Sequence, residues 1–260
     1  MGTLYVVGTP IGNLEDITLR ALRVLREADV ILCEDTRVTK RLLEKHAIAD
    51  KQLATCNEQR SGVTAEKIIG WLEEGKNVAL VSDAGTPGIS DPGSMLVQKV
   101  REYFQSDKVQ PERSDLESEK RSDLVEPCRI EAVPGPSALT AALSVAGVPV
   151  HDFVFLGFLP HKKGRETFFK EIATSGRTMV FYESPHRILK TLESLQKHAP
   201  KKRVTICREL TKIHEEVKSG TPAELLEFFK SNEEKVRGEF VVVVTETKNP
   251  SHDADIHGKD

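Results

Sequence analysis

The chain is poor in cysteine, in excess charge of either sign and in long apolar runs, and each shortage closes off a class of protein. Four cysteines, Cys33, Cys56, Cys128 and Cys207, occur among 260 residues, and none forms a C-x-x-C pair. Nothing in this pattern resembles a disulfide framework or a zinc site, so free thiols in a reducing compartment are expected, and no metal site. Lys plus Arg number 37 against 40 Asp plus Glu, a formal charge of -3. A protein held on nucleic acid by its overall charge would be basic, so any RNA contact must come from local patches. No apolar run has the length of a membrane span. The opening MGTLYVVGTPIGN lacks the charged n-region and apolar core of a secretory signal. A cytoplasmic protein without membrane contact is the expectation. Two phosphate motifs are also missing. There is no G-x-x-x-x-G-K-[ST], and GTPIGN has Gly8 and Gly12 without the G-x-G-x-x-G spacing.

What is present is a repeated unit: a short apolar run that ends in a loop rich in glycine, proline or acid. LYVV (4–7) runs into GTPIGN, VILC (30–33) into EDTR, VALV (78–81) into SDAGTPGISDPG, and IEAV (130–133) into PGPSA. Continuous rather than alternating runs predict strands covered on both faces, as in a parallel sheet. Helical patterns lie between them. TLRALRVLREA aligns Leu19, Leu22 and Leu25, with Asp16 or Thr18 as N-cap. TAEKIIGWLEE groups Ile68, Trp71 and Leu72, and SMLVQKVREYF groups Met95, Val97, Val100 and Phe104. Strands alternating with helices predict an α/β protein.

The second half repeats the theme with strands at 153–158, 178–182, 204–207 and 240–244, and helices at 165–173, 186–197 and 222–230. GVPVHD (147–152) suggests a hinge, giving domains at 1–150 and 151–248. Residues 105–128 contain eleven charged side chains and no aromatic, and are expected to form an exposed or disordered insertion. The tail 249–260 is expected to be disordered.

In an open α/β sheet, ligands bind beyond the carboxyl ends of the strands, so the four loops of the first half can gather at one edge. Glycines permit close backbone approach, and prolines set the loop in advance. Asp83, Thr86 and Ser90 add hydrogen-bonding groups. Glu34, Asp35, Asp83, Asp91 and Glu183 oppose a polyphosphate, but they suit a ligand with hydroxyls, an amine or a cationic centre. S-adenosylmethionine has all three. A purely structural loop would use the same glycines and prolines. In the second half, FYESPHR (181–187) and CRELTKIHEE (207–216) follow strands. The latter is equally readable as a salt-bridged surface. HKKGR (161–165) and KKR (201–203) are basic clusters that, with Arg37 and Arg41, could form an RNA patch.

These strings, in order, resemble one family. LYVVGTPIGNLEDITLRALRVLREADVILCEDTR, VALVSDAGTPGISDPG, VPGPSALTAALSVAGVP, GFLPHKKG, FYESPHR, RELTKIHEE and GEFVVVV are similar to the bacterial small-subunit ribosomal RNA (cytidine-2′-O)-methyltransferases of the tetrapyrrole-methylase superfamily. The resemblance spans residues 4–244. It implies two α/β domains with a cofactor cleft between them, a homodimer, and S-adenosylmethionine as methyl donor. The implied substrate is a cytidine 2′-hydroxyl in the decoding region of 16S rRNA, within the small ribosomal subunit. The implied cofactor-binding residues are Pro10, then Ser82, Asp83, Ala84, Gly85 and Thr86, then Pro134, Gly135, Ser137 and Ala138, with Tyr182 from the second domain. The charged insertion departs from the short turn usual in the family.

In such a reaction the sulfonium is already activated, so alignment and desolvation do most of the work. Glu183, Glu209 and Lys212 are the candidates for a general base, and a lysine would need a depressed pKa to serve. Arg37, Arg41, Lys162, Lys163, Arg165, Arg187 and Arg208 are the candidates for holding RNA. Two rivals stand beside this reading: methylation of a tetrapyrrole ring carbon on the same fold, and a non-catalytic adenosyl-ligand sensor or ribosome-binding factor.

Overall fold

The computed structural model describes residues 1–56, 61–91, 93–105, 128–160 and 164–247. Most of the charged insertion, Lys162, Lys163 and the tail lie outside the described residues.

In the first unit the apolar runs form β1 (Thr3–Val7), β2 (Val30–Cys33), β4 (Val78–Val81) and β5 (Arg129–Val133), with β3 (Gln52–Thr55) as a further, polar strand. They make one sheet in the order β3-β2-β4-β1-β5 in which every pairing is parallel. Alternate residues of each strand serve opposite faces. On one face Val7, Ile31, Cys33, Ala79 and Val81 meet α1 (Leu19–Glu27) and α2 (Thr36–Lys45). On the other, Leu4, Leu32, Val78 and Leu80 meet α3 (Ser61–Glu73) and α4 (Gly93–Gln105). Two buried faces explain the unbroken apolar runs.

Thr18 is the N-cap of α1, its hydroxyl accepting the Ala21 N–H at 3.1 Å, while Asp16 sits in a separate 3₁₀ turn. The buried stripe of α1 is Ala21, Val24 and Leu25; Leu19, at the first helical position, is 86% exposed. Likewise α4 buries Leu96, Val100 and Phe104 at four-residue spacing, leaving Met95 half-exposed.

The second unit contains α5 (Ala138–Val145), β6 (Phe153–Phe158), α6 (Arg165–Thr174), β7 (Thr178–Glu183), α7 (Ile188–His198), β8 (Arg203–Arg208), β9 (Glu216–Gly220), α8 (Pro222–Ser231) and β10 (Phe240–Thr245). Its sheet runs β6-β7-β10-β8-β9. Only β6 and β7 pair in parallel; β10 is antiparallel to both β7 and β8, and β8 to β9. The run FVVVV is therefore a central antiparallel strand, buried along its whole length. Helices α6, α7 and α8 cover one face through Phe169, Ile172, Leu192, Leu195, Leu225 and Phe229. At about 1.5–3 kcal/mol for each fully buried side chain, this cluster is a principal stabiliser of the unit.

The division between units falls after Ser137, ahead of the hinge expected near Val150. The physical cause is α5, which packs against β10. Its Ala142 carbonyl also accepts a weak bond from the Cys207 thiol at 3.8 Å.

Candidate active site

Because the first sheet is parallel, the loops after β1, β2, β4 and β5 leave from one edge, and backbone contacts stitch them together. Thr9 and Gly85 exchange two backbone hydrogen bonds, Thr9 N–H to Gly85 O at 2.9 Å and Gly85 N–H to Thr9 O at 3.1 Å. The buried Thr9 hydroxyl also donates to the carbonyls of Ser82 and Gly85, at 3.0 and 3.2 Å. Gly85 has φ +82°, a conformation glycine adopts without a Cβ penalty. The Thr86 hydroxyl donates to Pro136 O at 3.2 Å, joining the β4 loop to the β5 loop. Gly8 and Gly135 touch backbone to backbone: a Cβ on Gly135 would lie 2.7 Å from Gly8 O.

The structure thus gathers Pro10, Ser82, Asp83, Ala84, Gly85, Thr86, Pro134, Gly135 and Ser137 at one sheet edge. Pro10, Ser82 and Gly85 are buried within it, whereas Asp83 and Ala84 are exposed. Ala138 opens α5 and Tyr182 lies near the end of β7, both in the second unit.

A reciprocal clasp joins the β2 and β4 loops. The Asp35 N–H donates to Asp83 Oδ1 at 2.9 Å, and the Asp83 N–H donates to Glu34 Oε1 at 3.3 Å. Burial pushes the Glu34 carboxyl up, and the nearby Asp91 and Asp83 carboxylates add to this against the bond from Asp83 N–H. Asp35 is the N-cap of α2 and receives the Arg37 N–H at 2.8 Å. Hydrogen bonds from the Arg37 side chain and backbone hold its carboxyl down at about 2. A depressed carboxylate contributes its stabilisation above its unfolded value of about 3.9 and loses it as pH falls through the folded value. The cap is therefore expected to stay intact down to about pH 4 and to release only near pH 2. Carboxyl-carbon NMR should place the Asp35 midpoint near 2. A midpoint near 4 would show that the Arg37 pair does not form in solution.

In the second unit, β6, β7 and β8 point the same way, so Leu159, Glu183 and Glu209 emerge at one edge. Glu183 is fully buried, and both its oxygens are taken. Oε1 accepts the Ser184 N–H at 2.9 Å and Arg187 Nε at 2.7 Å; Oε2 accepts the Thr191 hydroxyl at 2.6 Å and Arg165 Nη2 at 3.4 Å. Arg165 also donates to the Thr191 hydroxyl at 2.6 Å, and Arg187 Nη1 donates to Leu159 O at 3.0 Å. This network fastens the start of α6 and of α7 to the ends of β6 and β7.

The RELTK turn is held in a strained form. Glu209 and Thr211 have positive φ, +50° and +66°, unusual for residues with a Cβ. Glu209 Oε1 accepts Lys212 Nζ at 2.9 Å and the Glu239 N–H at 3.0 Å, and Lys212 also donates to Glu239 Oε2 at 2.9 Å. Burial works against the Glu209 charge. The bonds from Lys212 and Glu239 N–H, with Lys212 and Arg208 close by, still hold its carboxyl below the ordinary value. Burial likewise works against the Lys212 charge, but the two carboxylates outweigh it and lift the ammonium above its ordinary value. A general-base lysine needs the opposite shift, so Lys212 does not fit that expectation.

Three of the arginines expected to hold RNA are engaged internally. Arg165 and Arg187 pair with Glu183. Arg208 is buried beside Glu216, its Nε 3.6 Å from Oε2, and donates through Nη2 to His214 O at 3.0 Å. Arg37 and Arg41 are exposed on α2. The inward turn of Arg165 and Arg187 has a sequence signal, since Arg187 stands four residues after Glu183. The Thr191 contribution has none.

The sequence of this two-unit α/β chain, with its glycine-tightened strand-end loops, is matched by one family of methylases. The family model for Tetrapyrrole (Corrin/Porphyrin) Methylases matches residues 3–106 and 116–226, and the chain belongs to that family. Ribosomal RNA small subunit methyltransferase I of Thermotoga maritima is 44% identical to it over 245 residues, covering 94% of this chain and 99% of that protein. The protein of the same name from Neisseria meningitidis serogroup B is 43% identical over 253 residues, covering 97% and 79%. A crystal structure of uroporphyrin-III C-methyl transferase from Thermus thermophilus, complexed with S-adenyl homocysteine, aligns with TM-score 0.59 and 18% identity, covering 94% of this chain and 98% of that chain. That likeness shows the fold. The chain is a methyltransferase.

The rim suits an adenosyl ligand on its own chemistry. The Gly8–Gly135 contact and the Thr9–Gly85 bridge set its shape in advance. Asp83 offers a carboxylate to hydroxyls or a cationic centre. Among the described residues no cluster of His, Cys, Asp or Glu could hold a metal, and no helix is long and apolar enough to cross a membrane.

Proposed function

We propose that this chain is a cytoplasmic, homodimeric enzyme that methylates the ribose 2′-hydroxyl of a cytidine in the decoding region of 16S rRNA. The methyl donor is S-adenosylmethionine. The observation that carries the reading is the identity of 40–44%, over 94–98% of the chain, with proteins named Ribosomal RNA small subunit methyltransferase I, on a chain whose strand-end rim suits the donor. Solved uroporphyrin-III C-methyltransferase and CobJ structures share the fold at 18–21% identity, which leaves the acceptor undecided by them.

The donor brings an activated sulfonium methyl. The first unit's part is to bind: Thr9, Gly85, Gly8 and Gly135 keep the rim rigid, and Asp83 would offer its carboxylate to the ligand's hydroxyls or amine. In the second unit, Glu183 positions rather than accepts a proton, since Ser184, Arg187, Thr191 and Arg165 fill both its oxygens. Of the three base candidates, Glu209 is the one assigned to the hydroxyl proton. Its carboxyl is held ionised, and the bonds from Lys212 Nζ and the Glu239 N–H both fall on Oε1.

The experiment is methyl transfer from labelled S-adenosylmethionine to small ribosomal subunits lacking the modification, followed by mapping of the label. Label on one cytidine ribose is expected. Label on a base, on another nucleotide, or none despite cofactor binding would overturn the reading, and a tetrapyrrole acceptor would be tried next. Glu209→Gln should slow the transfer by about 10²-fold or more if it takes the proton; near-normal turnover would leave alignment alone as the source of rate.

A further inference from the structure

We infer that the outer face of α2 is a docking ridge for an RNA phosphate backbone, tied to the cofactor rim through Asp83. The inference rests on the rRNA reading above and adds to it the surface that holds the substrate.

Charge is unevenly laid over the first sheet. Its two helical layers have contrasting composition. In α1 and α2 together there are seven basic side chains (Arg20, Arg23, Arg26, Arg37, Lys40, Arg41, Lys45) against two acidic ones (Glu27, Glu44). In α3 and α4 on the opposite face there are three of each. The whole chain has a net charge of -3, so the α1/α2 layer is a local reversal of sign.

Within that layer α2 is the part left for a partner. Arg20 is paired with Glu131 and Arg23 with Glu27. Lys40, Arg41 and Lys45 form no ion pair among the described residues. The helix turns Thr39, Leu42 and Leu43 inward. Arg37, Lys40, Arg41 and Lys45, at spacings of three and four, therefore share its exposed side with a single carboxylate, Glu44. The stripe runs the length of a helix about 15 Å long. Arg37, at its rim end, is 89% exposed at the side chain even while pairing with Asp35. A basic row of this kind, unpaired at Lys40, Arg41 and Lys45, attracts a polyanion through released counterions and carries no sequence information, which suits positioning rather than readout.

The placement of α2 gives the ridge its use. Its N-cap Asp35 donates its N–H to Asp83, and the Asp83 N–H returns a bond to Glu34. A phosphate backbone lying along α2 therefore ends at Arg37, short of the rim carboxylates of Glu34, Asp35 and Asp83, and the clasp keeps the helix start and the β4 loop in one geometry.

The test uses the full chain and small ribosomal subunits lacking the modification. Lys40→Glu/Arg41→Glu should weaken subunit binding, measured by co-sedimentation, at least tenfold. Its melting temperature and its S-adenosylhomocysteine affinity by calorimetry should match the parent. For the milder Lys40→Ala/Arg41→Ala pair, the slope of log K against log salt should become shallower by about 1.4–1.8, at about 0.7–0.9 per phosphate contact. Lys67→Glu, on α3 across the sheet, serves as the control and should bind as the parent does. Unchanged binding of the charge-reversed pair, or an equal loss in the control, would overturn the ridge. Weaker binding with an unchanged salt slope would overturn it too, pointing to an acidic protein segment. Binding is read without turnover, so a parent that binds subunits but transfers no methyl would defeat the rRNA methylation reading while still deciding the ridge.

Discussion

Gly135→Ala is expected to abolish useful cofactor binding and to lower methyl transfer by about 10²-fold or more. The new Cβ would lie 2.7 Å from Gly8 O and 2.9 Å from Gly8 Cα, and both are backbone atoms that no rotamer change can move aside. Gly135 does not have a positive φ, so the obstacle is space alone. One of the two loops must shift. Overpacking of this kind costs about 1–3 kcal/mol of stability. A displacement of about 1 Å in a positioning element is enough to cost about 10²-fold in rate. Gly70→Ala in α3 is the matched control, because nothing lies within 4 Å of its added Cβ. It should be neutral or stabilise by up to about 1 kcal/mol. Calorimetry with S-adenosylhomocysteine and melting curves separate the two. Parent-like affinity in Gly135→Ala would mean that the Gly8 contact does not shape the site.

Glu183→Gln should have the largest effect on stability, about 3–5 kcal/mol, because it leaves Arg165 and Arg187 buried without a counter-charge. Their side chains are 16% and 14% exposed, so water can compensate little. At roughly 2–4 °C per kcal/mol for a chain of this size, the melting temperature should fall by about 6–20 °C. Adding Arg187→Met to the same chain should recover part of the loss, since it leaves one stranded cation, Arg165, in place of two. A parent-like melting curve combined with abolished transfer would instead return Glu183 to the role of proton acceptor.

These two predictions concern features of different legibility. The glycines and prolines of GTPIGN, SDAGTPGISDPG and PGPSA are visible as strings, and four apolar runs ahead of such loops suffice to place them at one edge of a parallel sheet. The contact between Gly8 and Gly135 is not visible, because it joins residues far apart in the chain through β1 and β5 being neighbours. The same holds for Glu183. As part of ESPHR it reads equally well as a cap, a base or a cleft residue, and only burial among Arg165, Arg187 and Thr191 separates these.

Strand legibility followed burial. β2 and β4, all four of whose residues are buried, are plain in VILC and VALV. β3 and β9 are edge strands with mostly polar sequence, QLAT and EVKSG, and no local pattern announces them. They form because β2 and β8 offer a row of backbone partners. The direction of β10 was likewise hidden, since an apolar run buried on both faces is the same in a parallel or an antiparallel sheet.

By itself, then, the sequence determined the α/β class, the strand-end loops and their chemistry, because these depend on residue type and near-neighbour spacing. The tertiary structure decided which charges are spent and which remain. Arg165, Arg187, Arg208 and Lys212 are drawn into internal pairs, while Lys40, Arg41 and Lys45 are left facing outward on α2. That division could not be read from composition, because a charged side chain's partner is set by the packing of distant elements.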